Sequence, residues 1–200
     1  MNTTKEHILK TSLLLFLRKS YRDVTMKEIV EKTGLSKGAF YHYFNSKEEL
    51  FKEIANVFFS MGNIDYNSFP QNSLHGFYNH YLNYMGQSFQ KMYAFIGNTD
   101  DSKTSLNFFL IMFEAISRFP EFLTYELEQY NRSVQAWIKV TQQARKSGEI
   151  QSASSDKQIA DLFLYCTDGV FIRFVNSDKN TDYQSELQDA FDTVYSNLKV

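Results

Sequence analysis

Cysteine, proline and glycine are scarce in this chain of 200 residues, which holds one Cys, two Pro and eight Gly. The lone Cys166 has no partner for an intramolecular disulfide, so a disulfide scaffold is excluded and a reduced, cytoplasmic setting is expected. So little Pro and Gly also excludes a β-sandwich, which needs a turn signal every few residues, and favours long helices. Long apolar runs are missing as well. The longest near the N-terminus, Leu13 to Leu17, falls far short of the ~20 residues of a membrane span. It also lacks a small-residue cleavage site, so it does not read as a signal peptide. The four histidines, His7, His42, His75 and His80, include only one close pair, and a spacing of five does not place two rings on one helical face for a metal. There is no Gly-rich phosphate loop, and Cys166 on an apolar stripe reads as inert. No enzyme activity, metal or cofactor is expected.

What is present is a core-forming, charged composition, 43% hydrophobic and 22% charged, which suits a folded chain and not a disordered one. The net charge of −2 hides an asymmetry. Residues 1–55 carry ten Lys/Arg against seven Asp/Glu, and the remainder eleven against sixteen. A basic head on an acidic body points a polyanion at the head alone. Aromatic residues have the opposite bias, since 15 of 19 Phe, 10 of 13 Tyr and the single Trp lie beyond residue 55.

The hydrophobic spacing predicts an all-α chain of about nine helices, with an N-terminal three-helix domain over residues 1–45 and a C-terminal helical bundle over 46–200. The first helix is expected from about Thr4 to Lys19, with Ile8, Leu9, Ser12, Leu15 and Phe16 on one face. Thr25 opens a capping box with Glu28, and the helix it starts should stop at Gly34. Ser36 starts a third helix after a turn of about three residues, and Ser46 with Glu49 opens a longer fourth. Further helices are expected over 77–92, 106–118, 120–146, 156–175 and 183–198, with Ser155/Gln158 and Thr181/Gln184 as capping pairs and Pro120 in a first turn.

Short helix, tight turn with Gly, short helix is the grammar of a helix-turn-helix. The string Thr25–Leu50, TMKEIVEKTGLSKGAFYHYFNSKEEL, resembles the DNA-binding signature of the TetR (tetracycline-repressor-like) family. The match rests on the opening Thr, Ile29 with Gly34, the Ser-x-Gly start at Ser36, the Phe-Tyr-x-Tyr-Phe run to Phe44, and Ser46-Lys47-Glu48. A Ser-Gly-Glu-Ile turn at residues 147–150 agrees too. The resemblance implies a double-stranded DNA operator as partner, with Thr25 and Lys47 clamping the backbone. Physical reasoning agrees for the helix between them. Ser36, Lys37, Gly38 and Ala39 are small or polar enough to meet base edges, and Gly38 lets the backbone approach a duplex. Tyr41 and His42 lie one turn further, able to reach phosphate or a base edge. Phe40 and Phe44 read as core, while Tyr43 suits either role. Ser20 departs from the Gly that the family carries at the end of the first helix, which predicts a different or strained turn there.

For the body, the resemblance implies a small apolar or aromatic effector. Phe109, Phe113, Trp137 and Tyr165 are the candidate pocket lining, although large rings would equally fill a core. A homodimer is expected through the last two helices, with Phe163, Val170, Phe174, Phe191, Val194 and Leu198 at the interface, or else packed within one chain. The functional expectation is a repressor that a ligand releases from a palindromic operator. A helical adaptor without DNA-binding activity is the alternative, and it leaves Ser36–Lys47 without a role.

Overall fold

The computed structural model describes residues 3–96, 103–175 and 182–200, with side chains left aside at 61, 92, 93, 95, 96, 103–109 and 175. Among the described residues it holds nine helices and no strand. These are α1 (Thr3–Arg18), α2 (Met26–Thr33), α3 (Lys37–Tyr41), α4 (Lys47–Met61), α5 (Leu74–Ile96), α6 (Lys103–Arg118), α7 (Pro120–Ser147), α8 (Asp156–Val175) and α9 (Tyr183–Ser196). A single 3-10 turn, Tyr66–Ser68, precedes α5. None of the helices is long and apolar enough to cross a membrane.

The chain divides into two compact units, residues 1–63 with 91–124, and residues 64–90 with 125–200. Of the three boundaries, two fall inside helices, α5 and α7, and one between α4 and the 3-10 turn. The head expected at residues 1–45 therefore lies within a larger first unit that also contains α4 and α6.

In the first unit α1 is the hub, packing on α2, α4 and α6. Its apolar residues recur at helical spacing, and Ile8, Leu9, Leu13, Phe16 and Leu17 are all buried. Phe51 of α4 meets Phe16 edge-on at 5.3 Å between ring centroids. Ser12, the one polar residue on that face, donates its hydroxyl to the Ile8 carbonyl at 2.7 Å, which satisfies it without a tertiary partner. The predicted strain at Ser20 is absent. No described non-Gly residue has a positive φ, and the Ser20 hydroxyl instead donates to Asp23 Oδ2 at 2.6 Å and accepts from the Asp23 N–H at 3.3 Å. A hydrogen-bonded side-chain turn takes the place of a left-handed glycine.

The second unit is built on a ring cluster. Trp137 stacks on Phe163 at 4.7 Å and meets Phe77 edge-on at 4.9 Å, with Phe191 closing the far side at 5.7 Å. The Ser-Gly-Glu-Ile turn has a structural task here. Gly148 ends α7 at φ 74, and Glu149 then accepts the N–H groups of Leu74 and His75 and the hydroxyls of Ser73 and Tyr195. One carboxylate thus caps the exposed N-terminus of α5 and ties it to α9. Arg145 pins the following loop through Asp156 and the carbonyls of Ser152 and Ser154.

Two expectations need correcting. Thr181 lies outside the described residues, and the cap of α9 is Asp182, which accepts from the N–H groups of Gln184 and Ser185. The apolar residues of α8 also do not form one stripe. Ile159, Ala160, Phe163 and Leu164 point into the unit's own core, whereas Leu162, Tyr165 and Ile172 point out, each about half exposed. Phe163, Phe191 and Leu198 are buried within one chain and are not surfaces that a second copy can reach. Val170, Phe174 and Val194 are half-buried at the edge of the same core.

Candidate nucleic-acid interface

The turn between α2 and α3 is set by two side-chain caps and one glycine. Thr25 Oγ1 accepts the N–H of Glu28 at 3.2 Å to start α2. Gly34, at φ 68, ends it, a conformation that costs a residue with a Cβ roughly 1–2 kcal/mol. Ser36 Oγ then accepts the Ala39 N–H at 3.2 Å to start α3. The Glu28 carboxylate does not close the expected box on Thr25; it binds Lys19 Nζ at 2.5 Å and so fastens α2 to the end of α1. Glu49 likewise reaches past its cap to the Asn45 N–H at 2.8 Å. Of the expected capping pairs that lie wholly among the described residues, only Ser155 with Gln158 is reciprocal in both directions.

Helix α3 is five residues long, too short to gain much from its own hydrogen bonds. It is held by its anchors. Phe40 is fully buried and Phe44 nearly so, and Lys5 lies over the Phe44 ring at 5.9 Å while pairing with Glu53. With those rings turned inward, Ser36, Lys37, Gly38, Ala39 and His42 are all exposed on the other side. A Cβ added to Gly38 would meet nothing within 4 Å. The helix thus presents a flat, small-residue face with one cation, Lys37, which has no carboxylate partner among the described residues. Tyr41 is half-buried beneath Lys37, whose ammonium sits 6.0 Å from its ring. Tyr43 is half-buried beside His42 at 5.3 Å.

Lys47 is placed differently from a free surface cation. Its Nζ donates to the carbonyls of Tyr21 at 2.8 Å and Val24 at 2.7 Å and lies 4.4 Å from the Tyr21 ring. Partial burial, with the positive charge of Arg118 nearby, lowers its ammonium below the ordinary Lys value. Two of its three N–H donors therefore hold the α1–α2 loop, which leaves one for a phosphate. Arg118, at the end of α6, grips the same loop. Its guanidinium carbon lies 4.0 Å from the Tyr21 ring centroid while its Nε holds Glu114 at 2.6 Å. The contact with Tyr21 was not legible in the chain, because Tyr21 and Arg118 are 97 positions apart in sequence.

The pocket candidates are distributed over both units. Phe113 lines a cleft of about 870 Å³ in the first unit with Phe16, Tyr21, Leu110, Ile111 and Glu114. Phe109 is on the same helix, but its side chain lies outside the described residues. In the second unit Trp137 is fully buried within the ring cluster, whereas Tyr165 is exposed on the outer face of α8.

Residues 8–54 match the family model described as bacterial regulatory proteins, tetR family. Over 61 residues the chain is 44% identical to the HTH-type transcriptional regulator YerO of Bacillus subtilis (strain 168), covering 30% of this chain and 21% of that protein. A longer match, 27% identical over 176 residues, covers 84% of this chain and 81% of the HTH-type transcriptional regulator YfiR of the same organism. The chain thus spans about a fifth of one curated relative and about four fifths of the other. Among solved structures, the SmeT–triclosan complex superposes with a TM-score of 0.63 at 16% identity, over 100% of this chain and 93% of that one. That likeness is one of fold.

Proposed function

Taking the match of residues 8–54 to the tetR family of bacterial regulatory proteins as the premise, we propose that this protein represses transcription as a ligand-released homodimer on a palindromic operator. The observation that carries the reading is the exposed face of α3. Ser36, Lys37, Gly38, Ala39 and His42 stand clear of the core, while Phe40 of α3 and Phe44 just after it are buried on the other side. Such a face can enter a major groove and meet base edges, while Thr25 at the start of α2 and the free donor of Lys47 meet phosphates.

The dimer uses the outer face of α8. Leu162, Tyr165 and Ile172 are 46%, 57% and 55% exposed and share one side of the helix with Gly169, where an added Cβ would meet nothing within 4 Å. An apolar stripe with a glycine gap suits a close crossing with its symmetry mate. The two α3 helices of such a dimer must lie about 34–36 Å apart, or somewhat more, to enter successive major grooves. Release follows when an effector shifts that spacing. Within the first unit, α6 can pass such a shift to the reading head through Arg118 on Tyr21 and Lys47 beneath the same loop. SmeT, which shares the fold, is solved with triclosan, and that supports a small apolar or aromatic effector for this architecture. The protein would act in the cytoplasm, where the chromosome is.

The test is fluorescence anisotropy of the purified protein against duplex DNA over a range of salt concentrations. The logarithm of the affinity should fall linearly with log salt, and Lys37→Ala should alter that line. A helical adaptor without DNA activity would show no binding at any salt concentration.

A further inference from the structure

The cleft of the first unit sets an unmatched charge beside an apolar surface. Phe16 of α1 and Ile111 of α6 are buried at its base. Leu110 and Phe113 line it as well, yet they are 57% and 59% exposed. The two are three apart on α6 and so share a side of the helix. Large apolar side chains open to water beside a concavity of about 870 Å³ have the make-up of a small-molecule site, which typically measures about 300–1,000 Å³. The facing wall is the end of α1 and the loop after it, Arg18, Lys19, Ser20, Tyr21 and Asp23. Tyr21 is fixed there by Phe16, 5.7 Å away between ring centroids.

Four charged side chains line the cleft, and three of them are engaged. Lys19 Nζ holds Glu28 at 2.5 Å, and Glu114 holds Arg118 Nε at 2.6 Å. Asp23 accepts the Ser20 hydroxyl at 2.6 Å, and its charge acts on the Lys47 ammonium. Arg18 is the fourth. It is exposed in the last turn of α1, and among the described residues its guanidinium has no hydrogen-bond or ion-pair partner. A cation in a last turn complements the helix dipole, but that role leaves its N–H donors open. Two of those donors lie parallel and match the two oxygens of a carboxylate. The charge that would complete this cleft is therefore negative.

We propose that the cleft between α6 and the end of α1 is an effector site for a small aromatic carboxylate, its charge held by Arg18 and its ring against Leu110, Phe113 and Tyr21. The inference rests on the reading of the protein as ligand-released and gives that release a place. Tyr21 is the ring on which Arg118 and Lys47 converge, at 4.0 and 4.4 Å. The same loop runs on to Thr25, the cap of α2. A ligand pressed against Tyr21 thus acts on the segment that positions the start of the reading head. Occupancy of the cleft and binding of DNA then oppose one another, each weakening the other by the same factor.

The probe is 2-naphthoate, with 2-naphthamide as a neutral counterpart of nearly equal shape, each titrated calorimetrically into the full-length protein. The anion should bind about ten-fold tighter than the amide, the effect of one charge-assisted pair. Arg18→Gln should remove that difference and leave the amide unchanged, whereas Phe113→Ala should weaken both probes. Both positions are exposed, and circular dichroism checks that the variants stay folded. Saturating naphthoate should also weaken duplex DNA binding by the wild type, and do so less in Arg18→Gln. Equal binding of the two probes, binding of neither, or naphthoate affinity unmoved by both variants would overturn the site. Naphthoate that binds through Arg18 yet leaves DNA affinity unchanged would overturn its role as an effector site. DNA binding measured without probe stands apart from all of these results, and its absence would remove the repressor reading instead.

Discussion

Gly34 and Gly38 sit four residues apart, and replacing each with alanine should produce opposite signatures. Gly34 is at φ 68 with open space around its Cβ direction. Gly34→Ala therefore clashes with nothing and costs only backbone strain, roughly 1–2 kcal/mol. At about 2–4 °C per kcal/mol for a chain of this size, its melting temperature should fall by about 2–8 °C. Below that temperature the reading face is intact, and DNA affinity should stay within about three-fold of wild type. Gly38 lies inside α3 without a positive φ, again with nothing near its Cβ direction. Gly38→Ala should leave the fold unchanged or stabilise it by up to about 1 kcal/mol, because alanine has less unfolded-state entropy to lose. Its methyl group, however, stands on the face that must approach the duplex. Affinity should fall at least ten-fold, about 1.4 kcal/mol. Thermal unfolding by circular dichroism and anisotropy titration on the same preparations separate the two effects. If Gly38→Ala binds DNA like wild type, α3 does not approach the duplex through this face and the reasoning fails.

Lys47→Ala should lower the melting temperature as well as DNA affinity, because its ammonium holds two loop carbonyls, whereas the exposed Lys37→Ala should change affinity alone. Equal melting temperatures for the two variants would contradict this. Leu162→Glu should halve the mass seen by light scattering. Phe163→Ala, one residue along but fully buried, should instead cost about 3–5 kcal/mol of stability. A dimer that survives Leu162→Glu removes α8's outer face from the interface. The Glu149 carboxyl is raised by partial burial, but the N–H groups of His75 and Leu74 and the hydroxyls of Ser73 and Tyr195 outweigh this and hold it below the ordinary Glu value. A depressed folded value stabilises above the unfolded pKa of about 4.3 and is lost as pH falls through the lower folded value. Acid unfolding of wild type should therefore steepen below about pH 4.3, and Glu149→Gln should flatten that limb. An unchanged acid limb would deny Glu149 this capping role.

Local chemistry was legible in the chain, and long-range chemistry was not. Caps at Thr25, Ser36, Ser46 and Ser155 and the glycine stops at Gly34 and Gly148 depend on neighbours within four residues, so their residue types announce them. The second halves of the boxes went astray where a distant competitor was available, as when Lys19 drew off the Glu28 carboxylate. Ser20 was legible as a departure but not in its remedy, which required Asp23 to turn back onto it. On α8 almost every second residue is apolar, and periodicity alone does not say that Phe163 faces in while Leu162 faces out. That depends on where Trp137 and Phe191 lie, and they come from other helices. The inward bond of Lys47 and the grip of Arg118 on Tyr21 were hidden for the same reason, since only the folded chain brings them together.

The central claim is that the exposed face of α3 reads DNA sequence. It is tested most directly by selecting bound duplexes from a pool carrying a random stretch of about 30 base pairs, wide enough for two half-sites a helical turn or more apart. The selection is run at physiological salt with wild type and with Lys37→Ala. Wild type should enrich an inverted repeat, and Lys37→Ala should enrich a repeat altered at particular base pairs. A wild-type selection that enriches no sequence beyond the starting pool would contradict the claim.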